Sequence, residues 1–203
     1  MMRHIIAISG GGFSYETPSF IDEYIVQQID SKEQIKICFI PTASNDAQGY
    51  IEKFYAAFEK YNPMHITQEE MMLDDIRGKI LSQHILYVGG GDTKSLLEKW
   101  REHGFGDIVR EAYQKGVILA GISAGAMCWF EQCYSENVDN IYEEFAGLGI
   151  LKGTLCPHYD DPERKDMFDE WMATQDSLLA FTLRDSETLH FSDEILVAKI
   201  ETY

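Results

Sequence analysis

Residues 117–130 read VILAGISAGAMCWF, an apolar run that must bend within a few residues into a second apolar stretch. Gly121-Ile122-Ser123-Ala124-Gly125 is a G-x-S-x-G pattern, in which a strand turns sharply into a helix and presents a serine hydroxyl at the turn, a nucleophile elbow. Small residues at 121 and 125 let the chain fold tightly there and let a substrate approach the hydroxyl. The helix that follows points its free N–H groups and the positive end of its dipole at charge forming beside Ser123. A chain with such an elbow needs a sheet whose strands end at a crevice.

The rest of the chain supplies one. Strand-like and helix-like segments alternate, which predicts an α/β fold with a mostly parallel central sheet. Strands are predicted over 4–9, 36–41, 84–88 and 117–121, with shorter ones at Ile66 and over 155–157, and a terminal antiparallel hairpin over 187–191 and 195–200. Helices are predicted over 18–31, 50–61, 75–82, 93–102, 105–115 and 163–174, the first with Thr17 as N-cap and Pro18 in its first turn. Small-residue turns at 10–12, 89–91 and 121–125 all follow predicted strand ends. In open parallel sheets the ligand crevice lies at the carboxyl ends of strands, so these turns are expected to converge. With no repeat, linker or low-complexity segment, residues 1–203 are expected to form a single domain.

Composition narrows the partners. The net charge of −17 works against nucleic acid and anionic membrane surfaces, whose phosphates call for Lys and Arg clusters. The N-terminal apolar run, Ile5 to Ile8, is too short for a signal sequence, and no stretch of about 18 apolar residues occurs, so a cytoplasmic protein is expected. Cys38, Cys128, Cys133 and Cys156 have no metal or redox spacing and are expected to be reduced. Neither a Walker lysine, a dinucleotide G-x-G-x-x-G nor an H-E-x-x-H is present, so no cofactor or metal is expected; the chain is read as a monomer or homodimer.

A serine nucleophile needs a base, a group that orients the base, and donors for the oxyanion. Among six histidines His158 stands out, in Cys156-Pro157-His158-Tyr159-Asp160, because it follows a short apolar segment at a predicted strand end. For the orienting acid, residues 131–144, read as a loop, offer Glu131, Glu136, Asp139, Glu143 and Glu144, and spacing alone does not choose among them. The backbone N–H of Ala124 is one expected oxyanion donor, and the loop Gly89-Gly90-Gly91-Asp92-Thr93 suits the second; Asp92 could also cap the helix that begins there.

With these residues assembled, the chain resembles the peptidase E (dipeptidase E) and cyanophycinase family of serine peptidases. The resemblance runs through IAISGGG at the start, CFIPTAS at 38–44, ILYVGGGDT at 85–93, GISAGAMCWF at 121–130 and CPHYD at 156–160. It implies a flavodoxin-like, three-layer fold related to the class I glutamine amidotransferases, which carry a cysteine where Ser123 stands. It also implies a triad in the order Ser123, Glu136, His158, with Asp139 as the other candidate acid, and an oxyanion hole of Gly91, with Gly90, and Ala124. The aspartyl dipeptidases of that family must bind an acidic side chain; here Arg164, beside Lys165, is the basic residue at hand, and Asp92 is the other substrate-binding candidate. The expected activity is hydrolysis of short peptides, aspartyl dipeptides included, through an acyl-enzyme on Ser123. An esterase using the same residues and a non-catalytic small-molecule-binding protein on this scaffold are the other readings.

Overall fold

Strands buried on both faces alternate their side chains between two cores, and the apolar runs of this chain do so throughout. A computed structural model describes residues 2–15, 19–30, 34–137 and 140–201. The central sheet is built from β1 (His4–Ile8), β2 (Lys36–Ile40), β3 (Asn62–His65), β4 (Ile85–Val88), β5 (Ile118–Ile122), β10 (Glu187–Ser192) and β11 (Ile195–Glu201). Its order is β11-β10-β1-β5-β4-β2-β3. The five strands from β1 to β3 in that order run parallel, and β10 and β11 add an antiparallel hairpin at the edge.

Helices cover both faces. Ile6, Ile8, Phe39, Tyr87 and Ile122 pack on one side with α1 (Phe20–Gln27) and α2 (Gln48–Ala57). Ile5, Ala7, Ile40, Val88 and Leu119 pack on the other with α3 (Ile76–Leu81), α4 (Thr93–Glu102) and α5 (Phe105–Gln114). Each such aliphatic side chain withdrawn from water contributes roughly 1.5–3 kcal/mol, so the doubly covered sheet is the rigid base on which the site stands. The result is the mixed α/β, flavodoxin-like arrangement expected.

Against the second face lies a smaller sheet of order β7-β6-β8-β9, formed by β6 (Phe130–Glu136), β7 (Tyr142–Ala146), β8 (Leu151–Cys156) and β9 (Ala180–Thr182). Residues 131–144, expected as a loop, instead carry β6 and the start of β7. The pattern is hidden because the register shifts between Phe130 and Gln132, which breaks the two-residue period, and because the strand's Glu131, Gln132 and Tyr134 are only half-buried. β6, β8 and β9 run parallel, so their carboxyl ends emerge together. The chain also forms α6 (Ala124–Met127) after the elbow and α7 (Pro162–Met172) after β8. Thr17, Pro18 and Ser31, at the ends predicted for the first helix, lie outside the described residues, and within them that helix is Phe20–Gln27. Among the described residues no helix is long and apolar enough to cross a membrane.

At the opposite end of β1 a buried histidine adds a pH dependence. His190 Nε2 lies 2.9 Å from His4 Nδ1, and its Nδ1 lies 2.7 Å from the Tyr24 hydroxyl. Burial, reinforced by His4, lowers the His190 pKa to about 4. The unfolded chain takes up that proton near pH 6.5, so between about 6.5 and 4 it binds more protons than the folded one. The stabilisation is therefore fully present above about pH 6.5 and is lost, by about 2–3 kcal/mol, as pH falls through that window. Denaturant unfolding at pH 7.0, 6.0 and 5.0 should show this decline, and the variant His190→Gln should show a flatter profile. Equal slopes for both proteins would refute the assignment.

Candidate active site

The elbow is held by close backbone packing. A side chain on Gly121 would place its Cβ 2.1 Å from the Gly125 carbonyl oxygen, and one on Gly125 would place it 2.3 Å from that of Val88. Only glycine fits at either position. Between them Ser123 adopts φ 52°, ψ −110°, a conformation L-residues avoid. Its N–H donates to the Ile8 carbonyl (2.9 Å), and its own carbonyl accepts from Ala126 and Met127 (both 2.9 Å), which starts α6. That helix is a single turn, so help for a forming oxyanion must come from individual N–H groups, that of Ala124 first, more than from a long dipole.

The base arrives from the second sheet. β8 ends at Cys156, and Pro157 and His158 carry the chain over the end of β1, His158 with φ 55°. The His158 N–H donates to Ser9 Oγ (2.7 Å), which in turn donates to the Leu183 carbonyl (3.2 Å). His158 Nε2 lies 2.8 Å from Ser123 Oγ. Its Nδ1 is hydrogen-bonded to Asp185 Oδ1. Asp185 follows β9, and its backbone is fixed twice: its N–H donates to Asp160 Oδ1 (3.1 Å) and its carbonyl accepts from Gly10 (3.1 Å). A Cβ on Gly10 would sit 3.2 Å from both the carbonyl and carboxylate oxygens of Asp185, so the Ser9-Gly10 turn cradles base and acid together.

Asp185, rather than Glu136, therefore stands against the histidine. β9 is the parallel neighbour of β8, so the loops leaving their carboxyl ends meet. β6 lies on the far side of β8 and carries Glu136 towards α7, where its Oε1 is 3.6 Å from the Arg164 guanidinium. The other acids considered are engaged elsewhere: Glu131 accepts from the Gly153 N–H and Lys152, Glu143 from Lys94 and Asn137, and Glu144 from Trp171 Nε1. Those partners hold the carboxyls of Glu131 and Glu143 below the usual range. Asp139 lies outside the described residues. A short strand, Ala180–Thr182, followed by Leu183-Arg184-Asp185 is the same strand-then-polar-turn signal that drew attention to His158, and it could have found this acid.

The remaining candidates separate. Asp92 is the N-cap of α4, its carboxylate accepting from the Ser95 N–H at 2.9 Å. Gly91 has φ 139°, and any side chain there would strike the Ala43 carbonyl at 2.1 Å. The Gly90 N–H is directed at the Tyr50 hydroxyl, 3.4 Å away, while a Cβ on Gly90 would stand 3.5 Å from Ser123 Cβ. Arg164, in the first turn of α7, has a side chain only 14% exposed. All four cysteines are free and buried, and burial pushes the Cys133 and Cys156 thiols up to about 12. Among the described residues no three His, Cys, Asp or Glu side chains gather as a metal site.

A strained serine at a strand-to-helix turn, a histidine in hydrogen-bond contact with it and a carboxylate behind the histidine, at the carboxyl ends of a parallel sheet, define a serine hydrolase site. The family model for peptidase family S51 matches residues 5–198. The chain is 38% identical over 205 residues to the uncharacterized peptidase YgaJ of Bacillus subtilis (strain 168), covering 99% of this chain and 88% of that protein. It is 23% identical over 175 residues to a peptidase E of Haemophilus influenzae (strain PittGG), covering 78% and 72% of the two chains. The crystal structure of a peptidase from an acI-B1 Actinobacterium superimposes with a TM-score of 0.75 at 18% identity, over 95% of this chain and 84% of that one. The chain belongs to peptidase family S51, and is a peptidase of the serine class.

Proposed function

We propose that this protein hydrolyses short peptides, those with an amino-terminal aspartate among them, through an acyl-enzyme on Ser123, and that it works in the cytoplasm, where its free thiols stay reduced. The observation that carries the reading is the unbroken chain from Ser123 Oγ through His158 to Asp185. Asp185 holds the proton of His158 on Nδ1, which leaves Nε2 as the base. His158 takes the Ser123 proton as the oxygen attacks the scissile carbonyl, and the N–H groups of Ala124 and Gly91 receive the oxyanion, the Gly90 N–H being directed at the Tyr50 hydroxyl. The histidine then returns the proton to the leaving amine, and a water activated by the same base cleaves the ester. Arg164 supports the preference for an acidic residue: it is a nearly buried cation, and in a chain of net charge −17 an anionic substrate needs one.

The test is labelling with a fluorophosphonate, read by intact mass and peptide mapping, followed by turnover of Asp-Xaa dipeptides. One adduct on Ser123 with release of free aspartate is expected. Ester turnover without peptide turnover would point to an esterase, and a folded protein that takes no label would remove the reading.

A further inference from the structure

Ser9 follows β1 in the large sheet, yet its hydroxyl joins two loops that leave the small one. It accepts from the His158 N–H (2.7 Å) and donates to the Leu183 carbonyl (3.2 Å). That carbonyl also accepts from the Tyr159 N–H (2.9 Å). Three hydrogen bonds thus close a ring through Ser9, Leu183 and the His158–Tyr159 backbone. The last bond between the β8 and β9 exits runs from the Leu183 N–H to the Cys156 carbonyl (3.0 Å), so beyond it the ring holds the base's loop to the acid's. Asp185 stands two residues past Leu183, with its carbonyl on the Gly10 N–H (3.1 Å).

The hydroxyl's partners set its worth. His158 holds φ 55°, a backbone region that a residue with a Cβ keeps only where its surroundings impose it. The bond from its N–H to Ser9 is such an imposition. Ser9 is fully buried, so bulk water does not stand in for the hydroxyl. Without it the His158 N–H loses its acceptor, and the backbone is free to leave the left-handed region and carry the ring off Ser123 Oγ. The hydroxyl accepts and donates at once, so each bond polarises the next. A thiol would do both weakly, and a methyl group neither.

We propose that Ser9 is a positioning residue for the reaction: its one hydroxyl sets base and acid in a fixed relation, with Nε2 of His158 on Ser123 and Nδ1 on Asp185. This rests on the serine hydrolase reading above and adds to it a residue outside the triad that governs the rate by acting through His158 and Asp185.

The experiment measures both the rate constant and the final extent of fluorophosphonate labelling. Ser9→Ala should slow the rate constant about 10²-fold, the cost of a small misplacement of a reacting group, while labelling still runs to completion. Ser9→Cys should fall between alanine and wild type. Thr188→Val is the control: Thr188 pairs with Ile8, is equally buried, and its hydroxyl has no partner among the described residues, so the wild-type rate is expected. A merely structural hydroxyl would lower the extent and leave the rate constant of the folded fraction unchanged, and that result overturns the proposal. Should the alanine variant fail to fold, Ser9→Cys decides by the same rate constant: slowing supports the proposal, and the wild-type rate overturns it. Proton NMR separates this inference from the hydrolase reading. The low-field imidazole N–H resonance of the His158–Asp185 bond, identified by its loss in Asp185→Asn, should move in Ser9→Ala and not in Thr188→Val. If the wild type takes no label yet the resonance moves in Ser9→Ala, the positioning role stands and the hydrolase reading falls. An unmoved resonance overturns the positioning role whatever the label does.

Discussion

Ser123→Ala is expected to lower kcat on a cleaved peptide by about 10⁵–10⁶-fold, the effect of removing a nucleophile whose base and oxyanion donors then have nothing to act on. Folding should survive, because the hydroxyl's partner is His158 and not a buried structural group. The backbone makes a second, linked expectation. Ser123 sits at φ 52°, ψ −110°, and such a conformation costs a residue with a Cβ about 1–3 kcal/mol. Alanine keeps that strain and should melt close to the wild type, while Ser123→Gly should relieve part of it and melt higher, by about 1 kcal/mol in stability. Steady-state kinetics with purified variants and thermal melts check both. A residual rate within about tenfold of wild type would assign the nucleophile elsewhere, and a glycine variant that melts below the alanine variant would show the elbow to be unstrained.

The features of this site differ in how far their causes lie from one another in the chain. Ser123 and its glycines were legible because the elbow is a local device: the steric demand of Gly121 on Gly125 acts across four residues. Four of the five parallel strands were legible for a related reason, since β1, β2, β4 and β5 are buried on both faces and read as continuous apolar runs, whereas β3, Asn62–His65, is exposed to half-buried and the short strand was expected at Ile66, the residue after it. His158 was found because a strand end precedes it. Asp185 was not, because what brings it to His158 is the pairing of β8 with β9, and β9 is three half-buried residues without a strong period. The preference for Glu136 came from the family's order of residues. In space β6 and β9 flank β8 on opposite sides, so an acid at the end of either strand is near the histidine's strand, and only the sheet order decides which one meets the ring. Arg164 shows the same limit: its tie to Glu136 depends on α7 crossing the end of β6, which no local pattern records.

The choice between the two acids gives the second large effect. Asp185→Asn is expected to reduce kcat near pH 7 by about 10⁴-fold, the loss seen when an asparagine takes the place of the acid behind a catalytic histidine. The carboxylate can only accept, so it fixes the proton on His158 Nδ1 and leaves Nε2 bare towards Ser123. An amide can donate to Nδ1 instead, and the favoured tautomer then carries its proton on Nε2, where it cannot act as a base. Glu136→Gln should leave kcat within about threefold, since its carboxylate is 45% exposed and faces Arg164 at 3.6 Å, a geometry worth little in solution. Its effect should fall on KM for acidic substrates, because Arg164 loses a competing carboxylate. Fluorophosphonate labelling rates give a second readout that does not depend on the substrate chosen: they should drop in Asp185→Asn and stay near wild type in Glu136→Gln. If the large loss followed Glu136→Gln instead, the histidine would have to swing from the β9 side of β8 to the β6 side, and the Ser9–His158 hydrogen bond that now sets its direction could not persist.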